Sequence, residues 1–125
     1  MNKVVFQKIY ECLVPVLPSN WENIVFYAGY TSGSYSMKYY YKTADGEYKD
    51  CFSQTEVPQN QIVLAFMKID KVLYPERTSV TGKSPWNVLT MRFDSKGKVD
   101  VDFDYSVIDE SRIEYEKKWY EKYIG

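Results

Sequence analysis

Histidine is absent from this chain. That removes Ser-His-Asp and Cys-His catalysis, the His-based metalloprotease helix and most zinc catalysis, all of which need an imidazole. Cysteine is scarce: Cys12 and Cys51 stand alone, with no C-x-x-C spacing. Structural zinc and thioredoxin-type redox chemistry are excluded with it. One disulfide between the two is open in principle. The first ten residues carry no signal-peptide pattern, so buried, inert thiols in a reducing cytoplasm are the expectation. No apolar run approaches the roughly 18 residues that a membrane helix needs, and no membrane partner is expected. Neither sign of charge dominates: 16 Lys and Arg face 17 Asp and Glu, for a net charge of −1. Direct nucleic-acid binding, which rests on neutralising phosphates, is not expected either. The turn glycines at 29, 33, 46, 82 and 97 form neither a P-loop nor a dinucleotide fingerprint, so no cofactor is expected.

What is present is ordinary globular material with one odd feature. The 125 residues are 45% apolar and 26% charged, enough for a single domain over 1–125 with a core that needs no disulfide or metal. The oddity is thirteen tyrosines, which with six Phe and three Trp make the chain 18% aromatic. Tyrosine favours half-buried strands and also protein interfaces, and composition alone does not separate the two.

Periodicity divides the chain into short elements. Residues 3–14 place Val5, Ile9, Cys12 and Val16 on a helical stripe, with Asn2 as N-cap and Pro15 ending the helix. Residues 22–30 and 35–42 read as strands joined by a turn at 31–34. In the second, Met37, Tyr39 and Tyr41 share one face while Lys38, Tyr40 and Lys42 share the other, which predicts one packed and one wet face. The Asp45-Gly46 pair predicts a hairpin into a short strand near 48–52. Residues 59–74 form a second helix with Pro58 near its start, Pro75 as its stop, and a mobile polar loop from Glu76 to Pro85. The clearest hairpin joins 86–93 to 98–105 through Asp94-Ser95-Lys96-Gly97. Residues 109–123 form a last helix, capped by Asp109 or Ser111, with Trp119 and Tyr123 on one face and Tyr115 near it. The order α-β-β-β-α-β-β-α predicts an α+β fold: a five-stranded, largely antiparallel sheet with helices on one face.

The hairpin carries the most suggestive pattern. Asp100, Asp102 and Asp104 alternate along one strand, so their carboxylates share a face at about 6.5–7 Å intervals. A solvated sheet face accounts for this, and so does a surface that meets a basic partner, because like charges held in a row are relieved by a cation. A metal site is the third reading, but D-x-D-x-D here lacks the loop glycine and distal glutamate of a calcium loop. Asp109 and Asp94 flank the row. Tyr40, expected to face solvent beside Lys38 and Lys42, adds an aromatic candidate; a face of aromatics and lysines also suits RNA, though the RNP signature is missing. The dipeptide Lys83-Ser84 is too common to indicate Ser-Lys catalysis. No constellation points to an enzyme.

Four stretches taken together resemble a known family. They are Trp21-Glu22-Asn23-Ile24 through Tyr27-Ala28 with Tyr39-Tyr40-Tyr41-Lys42; Val57-Pro58; Pro85-Trp86-Asn87-Val88-Leu89-Thr90 with Asp94-Ser95-Lys96-Gly97-Lys98 and Asp102-Phe103-Asp104-Tyr105; and Trp119 through Lys122-Tyr123-Ile124-Gly125. In this order they resemble the YezG-like (EsaG-like) immunity or antitoxin family. This chain departs from the family pattern in its apolar, lysine-containing central helix. The resemblance implies a non-catalytic bacterial cytoplasmic protein, a monomer or weak homodimer, that binds a cognate secreted toxin. It also implies that the toxin is typically a nuclease domain at the C-terminal end of a type VII-secreted protein. The alternative is a binding or regulatory module of the same fold with no toxin partner. Asp100, Asp102, Asp104, Tyr40 and Asp109 are the candidate partner-binding residues.

Overall fold

Local pattern and turn chemistry place the elements close to where the periodicity puts them. The computed structural model describes residues 3–79 and 85–125. Along the chain run α1 (Lys3–Leu13), β1 (Asn23–Thr31), β2 (Ser34–Lys42), β3 (Tyr48–Asp50), α2 (Gln59–Thr78), β4 (Val88–Asp94), β5 (Val99–Asp104) and α3 (Arg112–Tyr123). The class is α+β, with the expected order of elements. Asn2, Gly82 and the Lys83-Ser84 pair lie outside the described residues. The elements group into two compact units, Met1–Ser19 with Cys51–Pro85, and Asn20–Asp50 with Trp86–Gly125.

The first unit is helical. α1 buries Val5, Ile9 and Leu13, spaced four apart on one face, and packs along α2. Pro15 ends it, and the chain tightens into a 3-10 turn over Val14–Val16. α2 buries Ile62, Ala65, Phe66, Ile69 and Leu73. Its approach is held by Gln54, whose side chain accepts from Val57 N at 2.9 Å and donates to Val57 O at 3.0 Å. Cys51 is buried and Cys12 only half-buried; both are thiols. Burial pushes the Cys12 thiol up, against the opposing pull of Lys68.

Pro75 does not stop α2, which runs on to Thr78. Glu76, Arg77 and Thr78 are therefore helical rather than loop. A proline this close to the end costs one backbone hydrogen bond, and little helix remains to be lost beyond it. The exposed carbonyls of the last turn are taken up locally. Thr78 Oγ1 donates to Tyr74 O at 2.9 Å, Ser79 Oγ to Glu76 O at 2.9 Å and Ser79 N to Pro75 O at 2.9 Å.

The second unit is a five-stranded antiparallel sheet in the order β3-β2-β1-β4-β5. β1 is central and buried on both faces from Ile24 to Tyr30. In β2 the alternation holds: Met37, Tyr39 and Tyr41 are buried and their neighbours are partly exposed. The β4–β5 turn is set by Asp94, whose Oδ1 accepts from Lys96 N at 2.9 Å and Lys98 N at 3.0 Å. Gly97 sits there at φ 95, where a side chain would be strained. Trp86 packs edge-on to Tyr30 and tilted on Phe103, with ring centroids 5.7 and 5.6 Å apart.

α3 lies against one face of this sheet. Its Trp119 joins Val25, Tyr27, Val88 and Ile108 in a buried cluster, with Tyr40, Tyr115 and Tyr123 packed around it. α3 begins at Arg112 rather than 109. Asp109 is used elsewhere: its carboxylate accepts from Ser32 N at 3.0 Å and ties the loop before α3 to the β1–β2 turn. Ser111 holds the N-cap position without a side-chain cap bond.

Candidate functional site: the acidic edge and its helix

Register lines up Lys38, Tyr27, Thr90 and Asp102 across four strands. α3 crosses this line. Tyr115, Trp119 and Tyr123 recur every four residues and so present one stripe to the sheet. At its centre Trp119 Nε1 donates to the buried Thr90 Oγ1 at 2.8 Å. The Trp119 ring stands edge-on to Tyr27, with centroids 4.9 Å apart.

The carboxylate row is not uniform. Tyr115 donates its hydroxyl to Asp104 Oδ2 at 2.7 Å, and Tyr123 donates to Asp102 Oδ2 at 3.0 Å. Arg92 reaches the same Asp102 oxygen at 3.5 Å. Burial alone would raise the Asp104 carboxyl. The bonds from Ser106 and from Tyr115 outweigh it and hold Asp104 below the usual carboxylate value. The partner hydroxyls move the other way: burial, then the bond to Asp104, pushes Tyr115 well up, and burial, then the bond to Asp102, raises Tyr123. Asp100 is exposed, and its carboxylate has no hydrogen bond or ion pair among the described residues. The row therefore presents one open carboxylate and two that are anchored but still partly exposed. Among the described residues no group of three His, Cys, Asp or Glu is placed to hold an ion.

Tyr40 does not face open solvent. It is half-buried beneath α3, its ring 5.9 Å from Trp119 and 5.6 Å from Tyr120. The reason is that β1 and β2 offer α3 its seat, and an aromatic on that face is covered by the helix. The stacking surface that an RNA platform would need is covered as well. Tyr40 lines a groove of about 410 Å³ on the β2 side of α3, together with Tyr27, Lys38, Glu116 and Trp119. In it Tyr27 donates to Glu116 Oε2 at 2.9 Å, and burial followed by the Glu116 charge raises the Tyr27 hydroxyl strongly. Asp102, Asp104, Tyr115 and Tyr123 line a second groove, of about 390 Å³, on the β5 side. The five candidate residues thus divide: three aspartates on the β5 side, Tyr40 on the β2 side and Asp109 in the loop before α3. Tyr115 and Tyr123 were missed as partners of the row. Their spacing with Trp119 was visible in the sequence, but nothing local says which strand they meet.

The model of the YezG-like immunity protein family matches residues 2–125. The chain belongs to that family. Nearly the whole chain is covered, so the match takes in the β4–β5 hairpin, the acidic row and α3 together, in agreement with the resemblance of the four sequence stretches. No curated protein matches it. Membership in the YezG-like family supports an immunity or antitoxin role with a toxin as partner, in a class of proteins that usually act without catalysis. Among the described residues no helix is long and apolar enough to cross a membrane.

Proposed function

We propose that this YezG-like immunity protein binds the toxic domain of a secreted protein in the cytoplasm of the producing cell and blocks it by occupying its active surface. The toxic domain is a nuclease at the C-terminal end of a type VII-secreted protein. The immunity protein acts as a monomer or weak homodimer. The observation that carries this reading is the acidic edge of β5, where Asp100 is open and Asp102 and Asp104 keep exposed carboxylate surface. A nuclease must attract phosphate, so its active surface is basic; an acidic inhibitor surface speeds encounter with it and competes with nucleic acid. In this reading Asp100, Asp102 and Asp104 face the toxin. Tyr40 and Asp109 contribute by seating α3 and the loop before it.

The test is co-expression with the toxin domain encoded beside this gene. Growth is rescued, DNA in the cell stays intact and the two proteins co-purify. Asp100→Lys leaves the thermal midpoint within about 2–4 °C, since an exposed position costs little. The same change slows association and flattens its dependence on salt. Failure of the chain to rescue growth or to bind that domain overturns the proposal. Rescue from a toxin that leaves nucleic acid intact overturns the nuclease assignment alone.

A further inference from the structure

β5 is a sheet edge, and its backbone polarity is readable. Asp94 N donates to Lys98 O, and Asn87 N donates to Asp104 O. The aspartate positions therefore turn their backbone groups inward to β4. In an antiparallel ladder the groups alternate, so Val99, Val101 and Phe103 turn their N–H and C=O outward. Among the described strands none pairs on that side. The opposite edge, β3, is only three residues long, whereas β5 has six. Natural edges are usually blunted by charged side chains, lysine above all, by proline or by a bulge. Val99–Asp104 contains neither lysine nor proline. Its charges are all acidic and all on one face, while Val99 on the other face is 46% exposed.

We infer that the outer edge of β5 is a strand-docking site. It takes an extended segment of the toxin, with basic side chains at alternate positions beside Asp100 and Asp102 and apolar ones beside Val99 and Val101. Backbone hydrogen bonds supply affinity in this mode and the alternating side chains supply selectivity. The charge pattern selects the occupant. An antiparallel second copy of β5 would set two aspartate rows against each other, and like charges directly opposite are destabilising. A basic strand reverses that sign. The inference rests on the toxin-binding reading and names the surface that reading uses.

The probe is the blocked hexapeptide acetyl-Lys-Val-Lys-Val-Lys-Val-amide, titrated against the whole isotope-labelled chain at low salt. Its Glu-Val counterpart and a form N-methylated at alternate residues serve as controls. We expect saturable binding of the Lys-Val peptide, with the backbone amides of Val99, Val101 and Phe103 protected from hydrogen exchange. The Glu-Val peptide does not bind. N-methylation of the three residues on the edge that faces β5 weakens binding by at least about tenfold, the scale of even one lost interstrand bond. Val101→Pro, which removes an outward donor and leaves the β4 ladder intact, does the same, with its fold checked by circular dichroism. Binding that ignores N-methylation is charge adsorption and overturns the inference. So do exchange protection confined to α3, absence of binding, or sedimentation showing two copies paired through β5. If Val101→Pro still binds and neutralises the toxin as the unaltered chain does, the edge inference fails and the immunity reading stands. If the peptide docks but the chain neither binds nor neutralises the toxin, the immunity reading fails and takes the toxin segment as occupant with it.

Discussion

Tyr115 and Trp119 fasten α3 to the sheet, at Asp104 of β5 and at Thr90 of β4, and each makes one polar bond that can be removed on its own. Tyr115→Phe deletes the hydroxyl that Asp104 accepts. It should cost about 1–2 kcal/mol, read by urea denaturation, because the bond is charge-assisted and partly buried. The same change should raise the Asp104 carboxyl toward its ordinary value, read by an NMR titration. The sign follows from Asp104 being held low in the folded chain. Its contribution to stability is present above the unfolded carboxylate value near about 4 and fades as pH falls through the lower folded value. Tyr115→Phe removes part of that acid sensitivity. Trp119→Phe keeps the ring cluster but strips the donor from Thr90 Oγ1, at 2% exposure for the residue. A loss of about 1–3 kcal/mol is expected in thermal or urea unfolding. Gly29 matters for the same site: a Cβ there would run into the Tyr27 hydroxyl that binds Glu116.

At the scale of elements, the sequence pattern was most reliable where turn chemistry and alternation agree. The β4–β5 hairpin is the best case. Asp94 and Gly97 define its turn, and Leu89, Met91 and Phe93 are buried as their alternation requires. A one-residue slip would turn the aspartate row into the other face, so register was legible before the fold was. Proline was the weaker guide. Pro15 ends α1, whereas Pro75 rides inside the last turn of α2. The local rule reports a lost bond and a clash, and it does not report whether Thr78 and Ser79 can close off the open carbonyls of the last turn. Pro75→Ala restores the backbone donor and should stabilise the chain by about 1 kcal/mol, measured as a raised thermal midpoint. The start of α3 shifted for a related reason. Asp109 had two possible backbone partners, and the β1–β2 turn, seventy-seven residues away in sequence, took it.

At the scale of the whole molecule, the tyrosines make stability sensitive to alkali. Tyr27 and Tyr115 are both held protonated far above the ordinary phenol value, chiefly by burial and then by Glu116 and Asp104. A group whose folded value is raised contributes in full below its unfolded value and loses that contribution as pH climbs through the folded one. Stability should therefore decline above about pH 10. Absorbance of tyrosinate should show a late-ionising fraction that appears together with loss of circular dichroism, whereas a smooth single titration with the fold intact would contradict this. The sequence by itself determined the class, the order of elements, the hairpin register and the alternation of Asp100, Asp102 and Asp104, because backbone periodicity and turn chemistry act over a few residues. Only the tertiary structure decided that the strands assemble as β3-β2-β1-β4-β5, that α3 covers Tyr40, and that Tyr115 and Tyr123 claim two of the three carboxylates. Those pairings join residues that no local spacing relates, since they arise where one helix comes to rest on a sheet whose strand order the chain sets only when it folds.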